Sequence, residues 1–208
     1  MADNQGLRER KKLATREALS AAALRLALEH GLENVRVDDI AEAAGVSPRT
    51  YNNYFASREQ AIVAAVMAER ATRVAATVRA RPPEEPLAEA VTAAVIEAYT
   101  SQPAGNALTL ITSSPRLRME FVEAVSAVGQ PLAAAIAERI GGGDTLVPAA
   151  LAAAVSAAAR VALDHWVRPV DSGLVVVYGK RPLPDLLREA LDSVAPALRA
   201  AEAREASG

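Results

Sequence analysis

The segment Val37–Phe55 constrains the fold of this chain more than any other part of its 208 residues. A short stretch with apolar side chains at helical spacing ends at Gly45, and Ser47 followed by Pro48 marks a new helix start. Serine is a favoured helix N-cap, and proline at the first helical position loses no hydrogen bond, because an N–H has no helical partner there. The segment therefore predicts two short helices joined by a tight, glycine-containing turn.

The rest of the chain also predicts helices, with proline and glycine between them. Residues 13–29 carry apolar side chains at helical spacing before Gly31, and Ser57 to Gln60 resembles a capping box that opens a fourth helix. Hydrophobic residues make up 51% of the chain and many are alanine, which favours helix. The fourth helix is predicted to continue to about residue 79, and further helices are predicted over about 86–100, 106–112, 115–140 with a kink or split at 129–131, 146–167 and 184–202. The loop 168–183 includes a predicted short strand at 174–178.

The second helix of the opening segment presents polar side chains on its outer face. Arginine matches the acceptor edge of guanine in the DNA major groove, and asparagine matches adenine. Tyr51, Tyr54 and Phe55 fit either a DNA-facing surface or a local core. The outward-facing set is Pro48, Arg49, Asn52 and Asn53.

A basic segment precedes the first helix. Residues 7–16 carry five basic side chains and one acidic side chain, although the whole chain has a net charge of −2. Basic arms often touch DNA phosphates, and the alternative is a solvated terminus that keeps the protein soluble. The arm consists of Arg8, Arg10, Lys11 and Lys12.

The segment from Arg8 to about Val66 resembles the DNA-binding domain of the TetR family of bacterial regulators. The matching elements are Thr15-Arg16-Glu17, Gly31, Val37-Asp38-Asp39-Ile40-Ala41, Ala44-Gly45-Val46-Ser47, Thr50, Tyr54-Phe55 and Ser57-Arg58-Glu59. The resemblance implies that Thr50, Tyr54 and Arg58 contact phosphates, and that Pro48, Arg49 and Asn53 read bases. The hydroxyl of Ser47, at the start of the same helix, is a further expected DNA contact.

Two positions depart from the family pattern. Arg36 stands where the family usually has a threonine that caps the second helix and faces phosphate. Asn52 stands where a tyrosine is frequent. Arg36 can still serve a phosphate, whereas Asn52 either reads a base or packs locally.

Three later segments are similar to the TetR subgroup that senses acyl-CoA-like ligands. They are Ser114–Arg118, Ala135–Gly141 and Arg160–Trp166. This resemblance implies a fatty acyl thioester whose tail lies among apolar helices and whose phosphates lie near Arg116 and Arg118; the alternative is that both arginines are surface charges. The expected ligand-binding residues are Tyr99, Arg116, Arg118, Phe121 and Trp166.

The sequence also predicts a helix–helix seam for dimerisation. Residues 151, 155, 158, 162 and 165–166 recur at steps of three and four, which is the spacing of such a seam. The last predicted helix repeats the pattern with Leu187, Leu191, Val194 and Leu198. Paired with the copies of a partner, these faces would form the four-helix bundle of a homodimer, as the family resemblance implies.

Several functional classes are disfavoured. Asp164 and His165 are adjacent and point about 100° apart on a helix, so they form no credible triad with Ser156. With no cysteine and two histidines, the sequence predicts neither a metal site nor a cofactor. The longest predominantly apolar stretch without a charge, Thr145–Ala159, is shorter than the ~18 residues that a membrane span needs, and no apolar signal segment opens the chain.

These observations predict an all-α fold. Residues 1–60 are expected to form a three-helix helix-turn-helix DNA-binding domain, and residues 61–208 a larger helical domain for ligand binding and dimerisation. The predicted function is a cytoplasmic, non-enzymatic transcription regulator, a repressor that a small apolar or amphipathic effector releases from a palindromic double-stranded DNA operator. The alternative is a helical ligand-binding or scaffold protein that does not bind DNA.

Overall fold

The computed structural model describes residues 2–100, 104–125, 129–141, 145–167, 169–170, 177–178 and 181–205. The helices in these parts are α1 (Ala2–His30), α2 (Val37–Ala43), α3 (Pro48–Asn52), α4 (Arg58–Ala80), α5 (Leu87–Thr100), α6 (Ala104–Ser113), α7 (Pro115–Ala124), α8 (Gly129–Ile140), α9 (Leu146–Val167), α10 (Leu183–Asp192) and α11 (Ala195–Glu205). A 3-10 turn, Leu32–Asn34, follows α1, and β1 (Pro169–Val170) pairs antiparallel with β2 (Val177–Tyr178). The predicted all-α fold is confirmed.

The chain divides into two compact units. The first consists of Met1–Val66 with Asn106–Glu120, and the second of Met67–Gly105 with Phe121–Gly208. Helix α4 contributes residues to both units. The domain boundary after residue 60 stays a prediction, and nothing in the residue pattern indicated that 106–120 would group with the first unit.

The first unit has its core between α1, α2 and α3. Leu19, Ala23 and Ala27 form the buried stripe of α1, and Ile40 and Ala41 are the buried residues of α2. Helix α1 begins at Ala2 rather than at residue 13, so the predicted basic arm is helical. Lysine, arginine, glutamate and leucine are good helix formers, which explains this extension.

The second unit is built around α9, which packs against α8 and α10, while α5 packs against α10 and α11. The helix α9 coincides with its predicted bounds. By length and composition it could cross a membrane, with a mean hydropathy of 1.8, but half of that window is buried inside the protein. The buried half identifies α9 as a core helix of the second unit.

The end of α4 is fixed by Arg139 on α8. The guanidinium of Arg139 donates four hydrogen bonds to main-chain carbonyls at the end of α4 and in the connection to α5. Beside it, Arg79 forms a two-pronged ion pair with Glu138, with N···O distances of 2.6 and 2.8 Å. The four acceptors are the carbonyls of Val78, Arg81, Pro82 and Glu85.

Two predicted helices are divided in the structure. The helix predicted over 115–140 with a kink or split at 129–131 is divided into α7 and α8, and Gly129 is the first residue of α8. The predicted helix 184–202 is split into α10 and α11 around Ser193 and Val194. Pro196 lies in the first turn of α11, where its missing N–H is tolerated but could not have continued α10. Most of the predicted 174–178 strand lies outside the described residues, except β2.

The predicted dimer seam is wrong in its position. Val155 is 1% exposed, and Leu151 and Ala162 are also buried within a single chain, so most of this face of α9 is already covered. Ala158 and Trp166 of the predicted seam are half-buried, and His165 is exposed. Leu187, Leu191 and Leu198 are buried in the same way. The three- and four-residue steps therefore marked the inner face of the protomer. The opposite face of α9, which includes Ala150, Ala153, Ala157 and Val161, is exposed.

Candidate nucleic-acid interface and effector-binding core

A tight turn joins α2 to α3. Gly45 has a φ of 69°, a left-handed conformation that costs glycine little. The N–H of Val46 donates to the carbonyl of Ala41 at 2.9 Å, which closes the turn. The hydroxyl of Ser47 accepts a hydrogen bond from the N–H of Thr50 at 3.1 Å, as predicted for an N-cap.

Helix α3 has one buried and one exposed face. Tyr51 is 1% exposed, and its hydroxyl donates to the carbonyl of Ser57 at 2.7 Å. Phe55 is also buried, and its ring centroid lies 5.8 Å from that of Tyr51. Burial, together with the Glu59 carboxylate, raises the pKa of Tyr51 to about 12. The exposed side chains are those of Pro48, Arg49, Asn52 and Asn53.

Arg16 holds α1 against the end of α3. Its Nη1 donates to the carbonyl of Tyr54 at 3.2 Å, and its guanidinium carbon lies 4.6 Å from the centroid of the Phe55 ring. Cations are attracted to the face of an aromatic ring, so this contact adds to the hydrogen bond. Arg16 thus positions the turn after α3 from the first helix.

Two of the predicted phosphate-contacting arginines lie at the starts of α2 and α4. Arg36 is the exposed N-cap residue of α2, and its main-chain N–H donates to the Asp39 carboxylate at 3.0 Å. Arg58 opens α4, where its Nη1 donates to the carbonyl of Val35 at 2.7 Å and its Nε to Glu59 at 3.2 Å. The guanidinium of Arg36 therefore lies on the surface. The guanidinium of Arg58 instead joins the start of α4 to Val35, the residue before Arg36.

In the second unit, the core contains a buried arginine. Arg70, on α4, is 2% exposed, and its guanidinium carbon lies 4.8 Å from the ring centroids of both Tyr99 and Phe121. The two rings meet edge to face with centroids 6.3 Å apart. With these distances, the directions from the guanidinium carbon to the two ring centroids lie roughly at a right angle. The guanidinium therefore lies in a corner formed by Tyr99 and Phe121, which we call the aromatic corner.

No described residue forms a hydrogen bond with the guanidinium of Arg70: Nε, Nη1 and Nη2 are all buried without a partner there. Burial lowers the pKa of Arg70 to about 10, with Tyr99 and Glu69 acting in the opposite direction. Arg70 therefore stays charged at neutral pH. Burial also raises the pKa of Tyr99 to about 12, so its hydroxyl is protonated there.

Two family models match the chain. Residues 19–65 match the N-terminal model of the bacterial regulatory proteins of the tetR family, and residues 85–199 match the MftR C-terminal domain of TetR regulators. The chain belongs to the TetR family. It is a TetR-family transcriptional regulator, and such regulators bind DNA operators and small-molecule effectors, typically as dimers. The family is generally non-enzymatic.

The chain is also similar to individual proteins. The chain is 30% identical over 206 residues to the HTH-type transcriptional regulator TcmR of Streptomyces glaucescens, a match that covers 93% of this chain and 88% of that protein. It is 40% identical over 80 residues to the HTH-type regulator BetI of Agrobacterium fabrum, covering 36% and 39% of the two chains. A solved TetR-family regulator from Streptomyces coelicolor is 17% identical, covers 93% of this chain and 88% of its own, and gives a TM-score of 0.44.

The predicted DNA contacts of this TetR-family protein lie in its first unit. Ser47, Arg49, Asn52 and Asn53 are exposed, and Thr50, Tyr54 and Arg58 are half-buried. Tyr51 and Phe55, for which the sequence left two possibilities, belong to the core. Asn52 is on the surface and not packed into the core.

The predicted ligand-binding residues are divided between the two units. Tyr99 and Phe121 meet in the second unit, where Trp166 is half-buried on α9. Arg116 and Arg118 belong to the first unit. Arg116 is exposed, and Nη1 of Arg118 donates to the carbonyl of Thr112 at 2.8 Å.

The sequence-based prediction missed Arg70. Its register was informative, because it follows Val66 by four residues and precedes Val74 by four, and both valines are buried. A charged residue at a core position of a helix is rare unless it has a partner. The ligand-binding arginines were expected near a helix start, at Arg116 and Arg118, whereas Arg70 lies in the middle of α4.

Proposed function

We propose that this protein is a cytoplasmic repressor that binds a palindromic double-stranded DNA operator as a homodimer and leaves it when a small apolar or amphipathic effector binds. The exposed face of α3 carries the proposal. Arg49 and Asn52 project from α3 and Asn53 from its C-cap, while the other face of the helix is held in place by the buried Tyr51. A rigid helix with arginine and asparagine on its free face suits the major groove.

In this proposal Arg49 pairs with guanine, Asn53 with adenine, and Pro48 packs against base edges. Asn52, being exposed, is a second candidate for base contact. Hydroxyl and guanidinium groups around α3 supply the phosphate contacts that fix its register on DNA. The phosphate-contacting set is Arg36, Ser47, Thr50, Tyr54 and Arg58.

The proposed dimer interface is the outer face of α9. Most of its exposed residues are apolar, among them Ala150, Ala153 and Ala157, and Val161 is 47% exposed. Arg160 is an exposed charge at the edge of this face. Small side chains let two helices approach closely, and a long exposed apolar face is uncommon on a monomeric protein. The outer face of α10 is instead charged, with Asp185, Arg188 and Glu189 on it, and it is the poorer candidate.

The effector is proposed to act through α4. This helix includes Arg58 of the first unit and Arg70 of the second. A ligand that moves the α4 residues near Tyr99 and Phe121 would move the helix that follows α3 in the chain. Because the half-sites of an operator lie ~34 Å apart, a small change in the separation of two recognition helices weakens binding to both at once.

An acyl thioester is the narrower form of the effector proposal. It is supported by the residue pattern of the C-terminal segments and by an apolar second unit. Arg116 is exposed and able to bind a phosphate, whereas Arg118 already donates to a carbonyl. Titration with lauroyl-CoA against free CoA tests this form, because only the acylated molecule should raise the melting temperature.

The test of DNA binding starts from a random duplex library. Duplexes enriched by the full-length protein should share an inverted repeat, and binding to them should exceed binding to scrambled duplexes at each salt concentration. A helical ligand-binding or scaffold protein, the alternative function, would enrich no sequence. Addition of an effector should release the enriched duplex.

A further inference from the structure

The guanidinium of Arg70 is a charged group in the core whose hydrogen-bonding capacity is unused. It has five N–H donors in a fixed plane, and none of them meets an acceptor on a described residue. The faces of Tyr99 and Phe121, each 4.8 Å away, attract the positive charge but accept no strong hydrogen bond. Buried polar groups in proteins almost always have partners, so this arginine calls for one.

A purely structural role explains Arg70 poorly. Its neighbours on the same stripe of α4, Val66 and Val74, are apolar, and a methionine would fill the position without burying a charge. An isolated charge is costly to bury, and replacing buried ionic groups with apolar residues is often neutral or stabilising. We therefore expect the arginine to reduce the stability of the unliganded fold.

We propose that Arg70 binds the negative group of the effector, which is an organic acid with one carboxylate attached to a flat or apolar body. The inference rests on the proposed release by an effector, and it names a different chemical class for that effector from the acyl thioester. A carboxylate matches the fork of a guanidinium with two parallel hydrogen bonds. The rings of Tyr99 and Phe121 then contact the apolar body.

The charge balance favours a monoanion. One carboxylate and one guanidinium give a neutral pair, whereas a phosphate ester with two charges would leave an excess negative charge in the core. Within the described residues, the buried charged side chains are Arg70 and Glu59, and Glu59 belongs to the first unit. No described buried cation in the second unit could balance a second charge.

Two matched pairs of probes test the proposal: benzoate against benzamide, and octanoate against 1-octanol. Each pair keeps the apolar body and changes the charged group. At constant ionic strength, one of the two carboxylates should raise the melting temperature of the wild-type protein and its neutral partner should not. If neither carboxylate is preferred over its neutral partner, the proposal is overturned.

Variants of Arg70 identify the site. Arg70→Met should lower the affinity for the preferred carboxylate about tenfold or more, as expected for a charged hydrogen bond. Arg70→Lys, which keeps the charge without the fork, should bind at an intermediate level. Arg73→Met is the matched control, because Arg73 lies one turn further along α4 and pairs with Glu69; it should respond like wild type. Equal responses of wild type and Arg70→Met would overturn the assignment.

The stability of the unliganded variants gives a second readout that needs no probe. Arg70→Met should remain helical by circular dichroism and melt at or above the temperature of the wild type. A clearly lower melting temperature with no probe would show that the aromatic contacts of Arg70 stabilise the fold, and would contradict the proposal.

Failure of this inference can be told apart from failure of the proposed function. Wild-type binding to library-enriched duplexes is measured in the same samples without any probe. If the protein selects DNA but prefers neither carboxylate, the inference fails alone. If carboxylate binding depends on Arg70 while no DNA sequence is enriched, the proposed function fails and the organic-acid site remains.

Discussion

The hydroxyl of Tyr51 donates a 2.7 Å hydrogen bond to the main-chain carbonyl of Ser57, the residue before α4 begins. This bond ties the buried side of α3 to the start of the helix that continues into the second unit. The direction in which the exposed face of α3 points is therefore set relative to the first turn of α4. Any displacement of the start of α4 is transmitted to α3 through this contact.

Alkaline pH should weaken the fold through its buried tyrosines. Burial raises the pKa of Tyr51 and of Tyr99 from 10.0 to about 12. Both stabilise the fold in the protonated form, so their contribution is complete below pH 10 and is lost as the pH rises from 10 to 12. Each rise in pKa corresponds to at most about 3 kcal/mol. Urea unfolding between pH 10 and 12 measures the loss in the free energy of unfolding. Tyr51→Phe and Tyr99→Phe should each reduce this loss. An identical loss in wild type and both variants would contradict a role of the two tyrosines.

Base readout should depend on the exposed side chains of α3. Arg49→Ala and Asn53→Ala are each expected to cost about 1–3 kcal/mol of binding to an enriched duplex and to reduce discrimination against scrambled DNA. Mobility shifts on both duplexes provide the measurement. Arg25→Ala is the control, because Arg25 is exposed on α1 and pairs with Glu29. If both α3 variants bind like the control, α3 does not read bases.

The basic start of α1 should add affinity without specificity. Deleting residues 1–12 should weaken binding to enriched and scrambled duplexes alike, since phosphates are the same in both. The slope of log K against log salt should fall by ~0.9 for each phosphate that the shortened chain no longer neutralises. Fluorescence anisotropy at several salt concentrations measures this slope. A slope equal to that of the full chain would remove these residues from the interface.

The stability of the protein should be sensitive to a methyl group added at Gly45, because of the backbone conformation of this residue. A side chain there is disfavoured by the φ of 69°, although nothing lies within 4 Å of an added Cβ. Gly45→Ala is expected to lower the free energy of unfolding by about 1–2 kcal/mol. Gly129→Ala is the matched control, because its surroundings are equally open and its φ is not left-handed. Equal unfolding free energies in urea for the two variants would contradict the strain argument.

The outer face of α9 should hold the dimer. Ala157→Glu introduces a charge on this exposed face and should shift the protein to monomers in sedimentation while leaving its helicity intact. Operator binding should then fall, because one half-site supplies too little affinity. Ala200→Glu, an exposed alanine on α11, is the control and should stay dimeric.

Val155→Glu separates the outer face of α9 from the inner one. Val155 is buried in the protomer, so a charge there should cost several kcal/mol and unfold the chain rather than only dissociate it. If Ala157→Glu remains a dimer at micromolar concentration, another face joins the protomers. If wild type is itself monomeric, the homodimer proposal fails.

The sequence was most informative where local chemistry decides the structure. The bounds of α9 follow from a continuous apolar run after three glycines, and the α2–α3 turn follows from Gly45, Ser47 and Pro48, whose effects are local. The split between α10 and α11 was also within reach, since Pro196 cannot continue a helix. A single helix was predicted over 184–202 because the apolar spacing continues across Pro196.

Other features depend on packing that no local pattern contains. Apolar steps of three and four residues mark a buried stripe, but they do not say whether the same chain or a partner covers it. Leu151 and Val155 illustrate this ambiguity. The aromatic corner at Arg70 joins α4, α5 and α7, and only the tertiary structure brings Tyr99 and Phe121 to the same guanidinium.

The four hydrogen bonds of Arg139 have a consequence for the order of folding. The connection from α4 to α5 includes Pro82, Pro83 and Pro86, which have no N–H, and a side chain 54 to 61 residues further along supplies the donors for its carbonyls. The hydrogen bond from the Glu85 N–H to the Pro82 carbonyl and the ion pair between Arg81 and Glu85 need only this part of the chain, whereas the four bonds from Arg139 need α8. The connection therefore completes its hydrogen bonding only when α8 docks, through a contact that is distant in sequence.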